Sequence, residues 1–222
     1  MRTDTEIQND VLAELAFDPA INKADIGVSV RQGVVTLTGL VDSYYKKVQA
    51  EMAAKKISGV RAVAEDIQVG FSPENRKTDT EIAMAVAGAL AHLSALEGLH
   101  IDIRVEHGDV TLQGNVEWHY QRKAAGDTVA AISGVHRIFN FISIIPKGWP
   151  ADLRQDINAA LQRNAKLDPG NIFVEAHRGR VTLWGLVRSV SEREEAEEVC
   201  WQTAGVTEVQ NELTIRGSEF VY

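Results

Sequence analysis

Cysteine is almost absent from this chain. Cys200 stands alone among 222 residues, so no internal disulfide can staple the fold, and a reducing compartment fits that usage. Aromatic residues make up only 6%, which leaves the cores to Val, Ile, Leu and Ala. No apolar run of about 18 residues occurs, so no segment is expected to span a bilayer. A basic excess is also missing. Lys and Arg number 23 against 31 Asp and Glu, for a net charge of −8. Basic and acidic residues number 8 and 10 over residues 1–71, 4 and 8 over 78–145, and 8 and 12 over 151–222. Non-specific nucleic-acid binding needs clustered cations that release counterions, and this balance argues against it. The opening Met1-Arg-Thr-Asp-Thr-Glu-Ile7 lacks the basic-then-apolar pattern of an export signal. A cytoplasmic location is therefore expected, and a periplasmic one only for a trimmed chain.

What is present is repetition. Gly33-Val-Val-Thr-Leu-Thr-Gly39 recurs as Gly108-Asp-Val-Thr-Leu-Gln-Gly114 and as Gly179-Arg-Val-Thr-Leu-Trp-Gly185. The offsets are 75 (33 to 108) and 71 (108 to 179). In the same register, Ser58-Gly59-Val60 becomes Ser133-Gly134-Val135 and Ala204-Gly205-Val206. Thr3-Asp-Thr-Glu-Ile7 returns as Thr78-Asp-Thr-Glu-Ile82, with Trp149-Pro-Ala-Asp-Leu153 at the aligned third place. Fixed motifs at a period of this size mark tandem structural units.

Periodicity assigns the elements of each copy. Ile7, Val11 and Leu15 fall at helical spacing, as do Ile82, Val86 and Leu90, and Leu153, Ile157 and Leu161. Thr3 with Glu6, and Thr78 with Glu81, have capping-box spacing. The third copy lacks the box and has Pro150 suited to a first helical turn. Ile26 to Val30, Ile101 to Val105 and Ile172 to Ala176 alternate as strands. Each meets a Gly-containing turn and a second alternating strand, the signature of a hairpin. A second helix follows, carrying Ala50, Ala54 and Ile57; Ala125, Val129 and Ile132; and Ala196, Cys200 and Thr203. The motif glycine is placed at its C-cap. A last strand runs over 63–69, 138–144 and 209–215. The expected fold is α+β, with three tandem αββαβ modules, each a small three-stranded sheet with two helices packed on it. The modules occupy 1–71, 78–145 and 149–217, with linkers at 72–77 and 146–148. Both linkers are short and contain proline, so they read as semi-stiff spacers. Strand order stays open.

Gly-x-Val-x-Leu-x-Gly, an alanine-bearing helix, Gly-Val and a final strand together resemble the BON domain (bacterial OsmY and nodulation) family. The resemblance covers nearly the whole chain in three copies. It implies the αββαβ fold and a non-catalytic role in binding phospholipid or envelope surfaces under osmotic stress. Family members are often periplasmic or lipid-anchored.

The motif glycines Gly33, Gly39, Gly59, Gly108, Gly114, Gly134, Gly179, Gly185 and Gly205 are expected to serve turns, strand ends and caps. Lys46, Lys47, Lys55 and Lys56, with Arg61, form the densest basic cluster, and Tyr44 and Tyr45 precede it. Such a surface either rests on anionic headgroups or is an ordinary solvated helix face. Trp118 and Tyr120 occupy the same place in the second module; with Trp149, Trp184 and Trp201 they form either a partner surface or inter-module packing. Glu192 to Glu198 reads as a solvated helix face, capped by Ser189 or Ser191. Five of the six histidines, His92, His100, His107, His119 and His136, fall in the second module but without ligand spacing, so no metal site is expected. Cys200 lies on an apolar stripe and reads as core. No cofactor motif or catalytic constellation is present. The expected partners are an anionic phospholipid surface or another protein.

Overall fold

The computed structural model describes residues 2–216 except 18, 20, 22–24, 71–75 and 149. Most of the first linker, Trp149 and the last six residues therefore lie outside the described residues. Module 1 comprises α1 (Asp4–Phe17), β1 (Ile26–Arg31), β2 (Val34–Val41), α2 (Tyr44–Lys55) and β3 (Ala62–Val69). Module 2 comprises α3 (Asp79–Ala91), β4 (Ile101–Glu106), β5 (Asp109–Val116), α4 (His119–Ala130) and β6 (Arg137–Ile144). Module 3 comprises α5 (Leu153–Arg163), β7 (Ile172–His177), β8 (Arg180–Val187), α6 (Val190–Trp201) and β9 (Glu208–Ile215). Each module has its own three-stranded sheet in chain order. The middle strand pairs antiparallel with the first and parallel with the third. That order, left open by the sequence, follows from the connections: a tight turn joins the antiparallel pair, and only a crossover helix can join the parallel one.

The hairpin turns are two-residue loops in which both residues have positive φ: Gln32 at 51° with Gly33 at 75°, His107 at 53° with Gly108 at 79°, and Arg178 at 48° with Gly179 at 82°. This turn matches the twist of the flanking strands, but it puts a non-glycine side chain in the left-handed region at some cost. In modules 1 and 2 an aspartate compensates. Asp4 accepts from the backbone N–H of Gln32 (2.7 Å) and Gly33 (2.9 Å), and Asp79 from His107 and Gly108 (both 2.9 Å). The Thr-Asp-Thr-Glu motif thus has two jobs. Its first Thr and its Glu form the capping box, with Glu6 accepting from Thr3 N and Glu81 from Thr78 N. Its Asp clamps the hairpin to the helix start.

Module 3 departs from that plan. The aligned Asp is Pro150, and α5 begins only at Leu153, capped by Asp152, which accepts from Gln155 N (3.0 Å). Pro150 lies ahead of the helix, not in its first turn, and packs beside Gly205. The second helices also end earlier than their glycines suggest. They are capped at Lys56, Ala131 and Gln202. Gly59, Gly134 and Gly205 come later, at positive φ, in the bend that returns to the last strand.

Helices cover one face of each sheet. Between the layers lie the side chains expected from periodicity, including Ile7, Val11, Leu15, Val35 and Leu37, and their counterparts Ile82, Val86, Leu90, Val110 and Leu112. The other faces are open. The third strand of each sheet is tied to the helix beside it. Glu65, Asn140 and Asn211, in aligned places, accept from the backbone N–H two residues on. Lys47 donates to Ile67 O, Asn140 to Arg122 O and Asn211 to Arg193 O.

Candidate functional site

The lysines on and just after α2 are each matched to carboxylates. Lys46 meets Asp42 at 2.8 Å, Lys47 meets Glu65 at 2.8 Å, and Lys56 lies 3.6 Å from Glu14. Lys55 is held between Glu51 (2.9 Å) and Glu194 (2.7 Å). Burial works against the charge of Lys55, but hydrogen bonds to Glu194 and Glu51 outweigh it and raise its pKa. The tyrosines divide. Tyr45 is exposed, whereas Tyr44 is half-buried against the core of module 2. Burial, then the charges of Glu51 and Glu65, pushes the Tyr44 phenol up. Trp118 and Tyr120 are exposed at the start of α4, where Gln121 accepts from Trp118 N (3.0 Å) and ties the turn to Ala95 O (2.9 Å).

Lys55 and Tyr44 reach other modules because the modules close on one another. Tyr44, at the start of α2, packs on module 2. His119, in the aligned position at the start of α4, stacks on Trp201 at the end of α6, with ring centroids 4.6 Å apart. The Arg122 guanidinium lies 4.5 Å from the same indole, and Trp201 Nε1 donates to Glu197 (3.2 Å). Glu194, in the first turns of α6, meets Lys55 at the end of α2. The start of each second helix thus faces the next module in the order 1 to 2, 2 to 3 and 3 to 1. Repeated head-to-tail contacts of this kind make a ring when the rotation closes. The buried cores of modules 1 and 3 form one continuous cluster, and module 2 forms its own, with Tyr44 and Trp201 packed against it.

Two sequence expectations change here. The Glu192 to Glu198 stretch is not an idle solvated face. Glu192 is 6% exposed and accepts from Arg188 and from Asp168 N, while Ser189 caps the helix. Glu195 holds Asn164 and Lys166, and Glu197 also accepts from Asn211. His119 is not a solvated histidine either, because the 2–3 seam buries it. The burial of His119 could not be read from one copy's periodicity, since it depends on a contact between modules, and Glu192 owes its place to Arg188 four residues before it and to the distant Asp168 N–H.

The nine motif glycines all have φ between 75° and 150°. At Gly39 and Gly185 an added Cβ would strike the carbonyl oxygens of Asp25 and Asn171 across the hairpin. Cys200 is buried, and burial pushes its thiol up to about 12. Among the described residues no cluster of His, Cys, Asp and Glu is placed to hold a metal ion, and no helix is long and apolar enough to cross a membrane.

The open sheet faces carry what sequence reasoning did not gather. On module 2, Phe139 and Phe141 stack along β6 with centroids 6.3 Å apart, and Arg137 lies 5.8 Å from the Phe139 ring. On module 3, Phe173 of β7 and Trp184 of β8 are direct cross-strand neighbours, 6.1 Å apart and near parallel. All four rings are exposed, as is Leu186. Strand alternation placed them on the face away from the helices. Their pairing needed the register.

Comparison with known proteins agrees with the three-module architecture. The model of the BON domain matches residues 3–70, 78–146 and 151–217. Osmotically-inducible protein Y of Escherichia coli (strain K12) is 28% identical over 141 residues, spanning 62% of this chain and 70% of that protein. Among solved structures, CdsD, a structural protein of the Type III secretion system of Chlamydia trachomatis, aligns over 95% of this chain and 92% of its own at 13% identity and a TM-score of 0.26. The periplasmic domain of the inner membrane protein PrgH from S. typhimurium aligns over 86% and 98% at 11% identity and a TM-score of 0.23. With the family's model met three times over nearly its whole length, this chain belongs to the BON domain family.

Proposed function

We propose that this protein is a non-catalytic binding protein of the osmotic stress response that attaches to phospholipid surfaces through its open sheet faces. The observation that carries this reading is the exposed aromatic pairs, Phe139 with Phe141 and Phe173 with Trp184. They are amphipathic or apolar rings on faces that no helix covers, the kind of side chain that sits at a membrane interface. The osmotic element is supported by the similarity to Osmotically-inducible protein Y. The non-catalytic element is supported by how the chemically capable groups are used: Cys200 is buried, Glu192 is held by Arg188 and the Asp168 backbone N–H, and His119 is stacked in a seam. Flotation of the full chain with vesicles of total bacterial polar lipid tests the attachment. Co-migration supports it, and recovery wholly in the lipid-free fraction overturns it.

A protein partner is the second reading. It is favoured by the seams, where BON modules already recognise one another through Trp201, His119 and Arg122. Cell fractionation of the untagged protein tests the cytoplasmic expectation. Recovery in cytosol or on the inner face of the membrane supports it, and release by osmotic shock overturns it.

A further inference from the structure

The two open faces that carry aromatic pairs differ in charge. On module 2 the chain supplies its own cation, since Arg137 lies against Phe139. The residue aligned with Arg137 in module 3 is Glu208, and it holds Arg180 in an ion pair at 2.8 Å. Register sets Phe173, Trp184 and Glu212 in one row across the three strands. Glu175, Thr182 and Gln210 form the next row. Phe173 is 53% exposed and Trp184 39%. Among the described residues no basic side chain forms an ion pair with Glu175 or Glu212. Glu212 accepts from the neutral amide of Gln210 (2.6 Å).

Aromatic faces beside unbalanced carboxylates attract organic cations, by cation–π attraction and by charge. Arg178 and Arg180 line the same depression as Glu175, with Arg180 committed to Glu208, so the acidic excess is greatest at the end that carries Phe173, Trp184 and Glu212. The lysines of the densest basic cluster are already paired with Asp42, Glu65, Glu51, Glu194 and Glu14. The chain as a whole carries −8, which repels a negative surface at low salt.

We propose that the outer face of module 3 is seated on zwitterionic phospholipid, with headgroup ammonium groups lying against Phe173 and Trp184 and meeting Glu175 and Glu212. This rests on the membrane reading above and reverses the headgroup charge that the lysine cluster suggested. The contact is aromatic and carboxylate on the protein side, ammonium on the lipid side.

The test is co-sedimentation of the full chain with two vesicle series. One contains phosphatidylethanolamine and phosphatidylcholine alone. In the other, phosphatidylglycerol progressively replaces them. Binding to the zwitterionic vesicles is expected, falling as phosphatidylglycerol rises. F173A/W184A and, separately, E175Q/E212Q are each expected to weaken binding at least about tenfold, the scale of one desolvated cation–π contact. All four positions are solvent-facing, and unchanged circular dichroism shows that the variants are folded. Binding that rises with phosphatidylglycerol overturns the inference and leaves the membrane reading standing. Zwitterionic binding that both variants retain also overturns it. Absence of binding to every vesicle overturns both.

Discussion

His119 is the residue whose surroundings depart most from what its neighbours in sequence suggest. Burial in the seam, with Arg122 and then Lys123 adding positive charge, holds its imidazole down to about 4 against the pull of Glu198 and Glu197. In the unfolded chain the ring titrates near 6.5 or so. Between those values the unfolded state takes up a proton that the folded state refuses. Stability therefore falls as pH drops from about 6.5 to about 4, by at most about 3 kcal/mol from this group. Urea midpoints measured from neutrality into mild acid should show that decline, and His119→Gln should flatten it. An unchanged slope in the variant would mean the ring is not buried as described. Gly185 offers a sharper residue-scale test. Its φ of 129° and the Asn171 carbonyl beside it leave no room for a Cβ. Gly185→Ala should cost about 3 kcal/mol, the size of a strained backbone conformation forced on a non-glycine residue. Chemical denaturation reads that directly, and a loss well under 1 kcal/mol or so would show that the strand can shift to relieve it.

At the scale of elements, the hairpin clamp makes a prediction that only modules 1 and 2 share. Backbone hydrogen bonds from Gly108 and then His107 hold the Asp79 carboxyl below the usual range. A carboxyl lowered on folding contributes stability above its unfolded pKa and loses it as pH falls through the folded value. Asp79→Ala should therefore speed hydrogen exchange at the His107 and Gly108 amides at neutral pH, with little change in the Arg178-Gly179 turn, which has Pro150 in place of the clamp. Equal protection in the variant would make the aspartate incidental. The elements themselves were largely legible. Strand alternation and turn glycines located every hairpin, because a buried face forces period two. The capping boxes located α1 and α3, because they satisfy local amides. What escaped was the second use of the same motif. Asp4 and Asp79 bond to turns 28 or more residues away, and nothing local marks such a partner. The start of α5 escaped for a related reason: Pro150 is acceptable in a first turn, but here it packs on Gly205 before the helix begins.

At the scale of the molecule, repeats that look alike in sequence are joined by seams that do not. The motifs shared by all copies serve each module's own core. The seam contacts fall on positions that vary: Tyr44 and His119 at one helix end, where the third copy has Val190, and Lys55 and Trp201 at the other, where the second copy has Ala130. This is why the sequence showed three units and not their closure, and why the lysines and tyrosine of α2 looked like a free surface. The linkers were expected to act as semi-stiff spacers between modules that touch, and the contacts they allow are structural: the cores of modules 1 and 3 are continuous, and module 2 is coupled to them through Tyr44 and Trp201. Cooperative unfolding requires such coupling between units. Calorimetry of the intact chain should show modules 1 and 3 melting together, with module 2 joined to them. Tyr44→Ala with Trp201→Ala removes both apolar bridges to module 2. Each truncation should cost about 2 kcal/mol, below the range for a fully buried aromatic because both rings are only partly buried, and the melt should split into a module 2 transition and a fused module 1 and 3 transition. Lys55→Glu strikes the other seam, where an ion pair of this kind is worth about 1 kcal/mol or less and the shared apolar cluster remains. It should lower the melting point without splitting the transition. A split in the Lys55 variant and none in the double aromatic variant would reverse the assignment of which seams hold the ring together.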